Sequence, residues 1–287
     1  MSILGAHMSI AGGYYKAVEA AERCQCDCVQ LFTKNNNQWR AKTITAEDVQ
    51  QFQTALCDLG IGHPLSHSAY LINLASPERA LWKKSVNGFV VELDRAGRLG
   101  IPYVVLHPGS FTTSSESAGL KRVIKALDEV HQQLDGSGAN CLLETTAGQG
   151  SNLGWRFEHL ATILDGVKNP ERLGVCFDTC HVFAAGYPLG TRYAYRKTMK
   201  ELDDTVGLDR IKAFHLNDSK SEPGSRVDRH EQIGQGKMGI EPFRFLLNDR
   251  RFRRVPMYLE TPKGKQKGVE LDVVNLRTLR GLIAVKR

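Results

Sequence analysis

Tyr103-Val104-Val105-Leu106-His107-Pro108-Gly109 is the stretch that orients the reading of this chain. Four residues make a short apolar strand, and Pro-Gly stops it at once. An imidazole stands at the stopping point. A strand with no alternation of polar and apolar side chains belongs to a sheet buried on both faces.

The same pattern recurs on either side. Ile3-Leu4-Gly5-Ala6-His7 is a first strand, and Gly12-Gly13 opens an amphipathic helix through Ala17, Ala20 and Ala21. Cys28-Val29-Gln30-Leu31-Phe32 is a second, ending near Lys34, with a helix over about 46–59 behind it. The third ends at His67. Ser76, with Pro77 at the first helical position, is the expected N-cap of a helix reaching Leu99. Further strands are Cys141-Leu142-Leu143-Glu144, Leu173 to Asp178, Ile211 to His215, and Met257 to Glu260, before a last helix over about 271–284. Eight strand–helix repeats without a linker predict an α/β fold, a single (β/α)8 TIM barrel over 1–287. The active site is expected at the C-terminal ends of the strands.

Composition narrows the class. No run of eighteen apolar residues is present, so no transmembrane helix is expected, and the first residues lack a secretory signal pattern. A cytoplasmic, nucleoid-associated protein is the corresponding expectation. Seven cysteines, three of them crowded at Cys24, Cys26 and Cys28, fit neither a disulfide framework nor a zinc ribbon and read as small core residues. The net charge of +7 and the pI near 9.0 favour an anionic partner. Basic residues cluster in Lys263-Gly264-Lys265-Gln266-Lys267 and in Arg250-Arg251-Phe252-Arg253-Arg254, either of which is a phosphate-tracking surface or a solvated face.

The informative signal is where the polar residues fall. His67, His107, Glu144, Asp178, His215 and Glu260 each stand at the end of an apolar strand. In a (β/α)8 barrel those ends converge, so residues far apart in sequence meet in one cavity. Three carboxylates and three imidazoles packed together are costly to bury without a cation. Mixed nitrogen and oxygen ligands favour zinc, manganese or iron over calcium or magnesium. His181, three residues beyond Asp178, and the pair Asp228 and His230 add a further trio. Nine ligands exceed what one ion uses, which points to a multinuclear site of the kind that breaks phosphate esters.

At these residues the chain resembles the endonuclease IV family of apurinic/apyrimidinic endonucleases. The matching strings are Gly5-Ala6-His7 with Ala11-Gly12-Gly13, Leu31 to Asn35, His67 to Leu74 (HSAYLINL) and His107 to Ser110. They continue through Glu144 to Leu153 (ETTAGQGSNL), Asp178 to His181, Ala184 to Tyr187, His215 to Asp218, Ser225 to His230 (SRVDRH) and Leu259 to Thr261. The resemblance implies three zinc ions per chain. His67, His107 and Glu144 resemble the first site. Glu144 bridges to a second with Asp178, His215 and Glu260, and His181, Asp228 and His230 resemble the third.

The implied reaction is hydrolysis of the phosphodiester 5′ to an abasic nucleotide in double-stranded DNA, leaving a 3′-hydroxyl and a 5′-deoxyribose phosphate. It is a step of base excision repair carried out by a monomer. Glu144 and Glu260 are assigned as ligands first, with a proton-transfer role for either left open. Tyr70 and Leu71 match the family's minor-groove positions, and Arg40 and Arg229 are further DNA contacts. Asn37 stands where the family often has arginine. A sugar isomerase or epimerase with one catalytic metal on the same barrel is the rival reading. The extra trio and the charge of +7 count against it. Replacing Asn37 with arginine is expected to tighten binding to abasic duplex in a filter-binding titration. Unchanged affinity would show that this loop does not insert.

Overall fold

The structure is a computed structural model, in which residues 2–284 are described. Eight parallel strands close into a barrel: β1 (Leu4–His7), β2 (Cys28–Leu31), β3 (Gly62–His67), β4 (Tyr103–Leu106), β5 (Asn140–Glu144), β6 (Leu173–Asp178), β7 (Ile211–His215) and β10 (Met257–Leu259). The ring shuts where β1 pairs with β10. Around it run α1 (Tyr14–Arg23), α2 (Ala46–Asp58), α3 (Arg79–Arg98), α4 (Glu116–Leu134), α5 (Phe157–Gly166), α6 (Thr179–Ala185), α7 (Arg192–Thr205), α8 (Glu241–Leu247) and α9 (Leu271–Leu282).

The fold follows from where the apolar residues sit. One face of each long helix is apolar: α4 buries Val123, Ala126, Leu127, Val130 and Leu134, a helical spacing, against the outside of the strands. Inside the barrel lies a separate small cluster of Cys28, Leu65, Val105, Leu142, Cys176, Ala213 and Tyr258. It fills the interior beneath the strand ends, as layered side chains do in such barrels. Six of the seven cysteines are buried and none is bonded to another.

Two details depart from the sequence reading. The third helix begins at Arg79 with Glu78 at its N-cap, not at Ser76 and Pro77. Ser76 Oγ accepts instead from the Glu78 amide at 3.2 Å, closing a local turn that holds both residues outside the helix. Two antiparallel hairpins were not foreseen. One pairs β8 (Asp218–Ser219) with β9 (His230–Glu231), and the other pairs β11 (Lys265–Gln266) with β12 (Val269–Glu270). The first carries His230 back over the barrel mouth.

Gly5 is the tightest point of the ring. A Cβ added there would lie 1.9 Å from the Cys28 carbonyl oxygen, so β1 and β2 approach only because the side chain is absent. Gly5→Ala is therefore expected to destabilise the protein by about 3 kcal/mol or more, read as a fall in melting temperature. An unchanged melting temperature would contradict this account of the closure.

Candidate metal centre

The centre is built on Glu144, fully buried at the end of β5. Four imidazoles face its two oxygens. Oε1 meets His215 Nδ1 at 2.8 Å and His181 Nδ1 at 3.3 Å; Oε2 meets His107 Nε2 at 2.9 Å and His67 Nε2 at 3.2 Å. His215 Nδ1 also lies 3.2 Å from Glu260 Oε2. The strand ends thus bring together all six residues singled out there, although His107 and Glu260 stand one position past the last residue of β4 and β10.

The trio assembles beside this set. His181 Nε2 lies 3.1 Å from Asp228 Oδ2, His230 Nε2 lies 3.3 Å from Asp228 Oδ1, and the two imidazole nitrogens are 3.5 Å apart. Asp178 Oδ2 reaches to 3.9 Å from His230 Nε2, so this corner has a second carboxylate at its edge. Three overlapping groups of metal-capable atoms result: His67–His107–Glu144, Glu144–Asp178–His215–Glu260, and Asp178–His181–His230 with Asp228 beside it.

The outer contacts of the rings decide what the centre can hold. His67 Nδ1 lies 2.8 Å from the Ser68 carbonyl, His181 Nδ1 2.9 Å from the Thr145 carbonyl, and His230 Nδ1 3.3 Å from the Glu260 carbonyl. A carbonyl oxygen only accepts, so each of these nitrogens carries the proton. His215 Nε2 likewise faces Gln30 Oε1 at 2.7 Å. The remaining nitrogens in a neutral ring present lone pairs to carboxylate oxygens and, between His181 and His230, to each other. Lone pair against lone pair is repulsive unless a proton or a cation lies between them. Rings held this way by a second nitrogen are the usual setting of imidazole metal ligands. The donor set therefore fits divalent cations.

The charges respond as expected. Burial alone would raise the Glu144 carboxyl, but His215 and His107 hold it well below the usual range. Glu260, facing the same burial, is drawn down to about 2, chiefly by His215. Burial also opposes the shift at Asp228, which His181 lowers nonetheless. Against desolvation, His181 is raised by Asp178 and Asp228, and His215 by Cys176, Glu260 and Glu144. His7 differs: burial lowers it to about 3, and Gln30 Nε2 donates to its Nδ1 at 3.0 Å. It serves as a neutral hydrogen-bonding residue at the edge of the centre.

Several supporting residues escaped the sequence reading. Gln30 is fully buried and donates to Glu260 Oε1 at 2.5 Å while accepting from His215. Asn217 Nδ2 donates to Asp178 Oδ2 at 2.7 Å, and Asn217 Oδ1 accepts from the Glu260 amide. The only signal for Gln30 was an amide inside an otherwise apolar strand. The glycine-rich loop after His230 is explained by Asp218, whose carboxylate accepts from the amides of Ser219, Gly234, Gly236 and Met238 at 2.7–3.0 Å. Its anion is internal.

Of the residues expected to touch DNA, Tyr70 stands directly against the centre. Tyr70 is 64% exposed and stands edge-on to Phe32, with His67 beneath it at a centroid distance of 5.9 Å. Leu71 is half-buried. Asn37, Arg40 and Arg229 lie towards solvent, the first in a turn where its amide donates to Asn35 Oδ1.

A closed parallel barrel with overlapping imidazole–carboxylate clusters at the strand ends defines the class. The family model described as xylose isomerase-like TIM barrel matches residues 18–279. A Citrifermentans bemidjiense protein named "Probable endonuclease 4" is 48% identical over 99% of this chain and 99% of its own. The crystal structure of endonuclease IV from Thermus thermophilus superposes with a TM-score of 0.86 at 36% identity, covering 97% of this chain and 98% of that one. The chain belongs to the endonuclease IV family. A D-tagatose 3-epimerase-like protein, at 18% identity and a TM-score of 0.71 over 97% of this chain and 96% of that one, shares only the fold.

These imidazoles give the metal-stripped protein a pH dependence of definite sign. His181 and His215 have folded values above the ordinary imidazole value of about 6.5, so their stabilisation is complete below that value and is lost as pH rises through the folded one. The lowered carboxylates act oppositely, losing their contribution as pH falls from the ordinary carboxylate range towards about 2. Chelator-stripped protein is therefore expected to melt several degrees lower at about pH 9 than at about pH 6. A melting temperature that rises over this interval would contradict the assignment.

Proposed function

We propose that this protein hydrolyses the phosphodiester 5′ to an abasic nucleotide in duplex DNA, using three zinc ions, as a monomer in base excision repair. The carrying observation is the pair of imidazoles His67 and His215, whose outer nitrogens are committed as donors to Ser68 and Gln30 while their inner nitrogens face the buried Glu144 carboxylate. Membership of the endonuclease IV family supports the substrate. No described helix is long and apolar enough to cross a membrane.

In this reading His67, His107 and Glu144 hold one ion; Glu144, Asp178, His215 and Glu260 hold a second; His181, Asp228 and His230 hold a third. Zinc held by these residues would supply Lewis acidity towards a phosphoryl oxygen and would lower the pKa of water to about 7. The chain's own part is placement. Gln30 fixes the His215 ring and one Glu260 oxygen, so the second nitrogen and the second oxygen stay turned inwards. Asn217 does the same for Asp178, and orientates Glu260 from its backbone. Each contact removes rotational freedom that a ligand would otherwise lose on binding.

Glu144 and Glu260 act as carboxylate ligands, and their lowered values keep both ionised at neutral pH. A base that is already a weak one is poorly suited to taking a proton there. Tyr70 and Leu71 at the mouth enter the minor groove, Asn37 stands where the family often inserts an arginine, and Arg40 and Arg229 are further DNA contacts. An abasic nucleotide has no base to unstack, so its extrusion towards the centre costs less than that of an intact one.

The test is a nicking assay on a duplex with a single abasic site. Untreated protein should cut 5′ to the site, chelator should abolish cutting, and zinc should restore it. Glu144→Ala should lose bound metal and cutting together, by a factor of about 10³ or more in rate. A fully metallated but inactive Glu144→Ala variant would instead assign Glu144 a proton-transfer role. Cutting that survives complete metal removal would overturn the proposal.

A further inference from the structure

One of the two basic runs of the sequence is mostly paired with carboxylates, and in the other only Arg251 is. In the run at 263–267, Lys263 pairs with Asp272 at 2.7 Å and Lys265 with Glu270 at 3.2 Å. The run Arg250 to Arg254 lies just before β10, at the N-terminal ends of the strands, on the side of the barrel opposite the metal centre. There the fold adds arginines from α7, α8 and α9. Two adjoining cavities of about 780 and 730 Å³, sharing Asn248, Asp249, Ile283 and Ala284, are lined by Arg192, Arg196, Arg244, Arg251, Arg253 and Arg280. Three of these six are paired, Arg251 with Asp249, Arg280 with Asp27 and Arg244 with Glu241, which leaves Arg192, Arg196 and Arg253 of the lining arginines. Among the described residues no acidic side chain lies within ion-pair distance of Arg192, Arg196, Arg250, Arg253 or Arg254. All five are exposed.

We propose that this arginine face is a second binding surface for double-stranded DNA, engaging a duplex segment other than the one being cut. Unpaired like charges gathered from α7 and from the run at 250–254 repel, and a polyanion offsets that repulsion by releasing its counterions. The lining cations are all guanidiniums, whose planar fork matches phosphate oxygens in pairs, and no lysine is among them. Because the face points away from the centre, the two duplexes do not compete for the same side of the barrel. The choice of duplex DNA as the partner rests on the activity proposed above. Such a face would hold the protein on undamaged DNA and let it pass between segments.

The test compares two double variants with the same change of charge. R250E/R253E removes cations from this face, whereas K83E/K121E reverses two exposed lysines on α3 and α4. Binding of an undamaged duplex is titrated against salt, and turnover is measured on a short abasic duplex. R250E/R253E should lose about 2 from the slope of log affinity against log salt, since each neutralised phosphate contributes about 0.9. Its affinity at low salt should fall about tenfold or more, with turnover on the short duplex unchanged. K83E/K121E should keep most of the parent slope. Equal weakening by both variants, or parental binding by R250E/R253E, would overturn the proposal. So would loss of binding to anionic phosphatidylglycerol vesicles with duplex binding intact, which would assign the face to a membrane surface. A parent chain that binds undamaged duplex with the expected slope yet never nicks abasic DNA would sink the proposed activity and leave this surface standing.

Discussion

A carboxylate with no exposure to water must be met by positive charge, and Glu144 is the point at which this chain meets that requirement. Four imidazoles from four elements point at its two oxygens within 3.3 Å. Burying an unpaired carboxylate costs several kcal/mol, so the surrounding elements cannot be arranged independently of it. The barrel supplies the convergence. Six of the eight strands contribute a residue at or just past their ends, and the closed ring turns a sequence separation of 77 between His67 and Glu144 into a contact. The small apolar cluster beneath, which includes Val105, Leu142 and Tyr258, excludes water from below and fixes the depth at which the charged layer begins.

A second layer keeps the charged layer in register. Gln30, Asn217 and the carbonyls of Ser68, Thr145 and Glu260 occupy the outward-facing atoms of the ligand side chains. Polar networks of this kind are stable only when nearly every member is satisfied. The hairpin that carries His230 shows how far this extends: Asp218 at its base gathers four backbone amides, and a Cβ at Gly236 would lie 2.4 Å from the Asp218 oxygen. Asp228 is the exception. It lies on an exposed stretch and its side chain is 39% exposed, tied through its amide to Gln149 at 3.1 Å. The corner it forms with His181 and His230 reaches solvent through Asp228, as the Glu144 cluster does through His107.

Much of this was readable before any coordinates. Apolar strands ending in His, Asp or Glu announce both the barrel and its working end, because one periodicity sets the fold and one interruption of it sets the chemistry. Resemblance then separated the three groups of ligands. What stayed hidden depends on contacts between segments distant in sequence. Gln30 looks like a stray amide until the closed barrel brings its side chain to those of Glu260 and His215. Asp218 and the loop after His230 look unrelated until the hairpin brings them together. Ser76-Pro77 carries a strong helix-start signal, yet the Ser76 hydroxyl was spent on a local turn, and such competition is decided by the neighbouring chain. The arginine face is the clearest case, since only one of its four contributing elements is basic enough in sequence to stand out.

The same barrel serves sugar epimerases, so the fold does not choose between one ion and several. The choice lies in the corner formed by His181, Asp228 and His230, which the single-metal reading leaves without a purpose. Anomalous scattering at the zinc edge, from crystals of protein purified without chelator, measures this directly. Three peaks per chain are expected, one at each cluster, with one of them between His181, Asp228 and His230. A single peak beside Glu144, with that corner vacant at saturating zinc, would contradict the account.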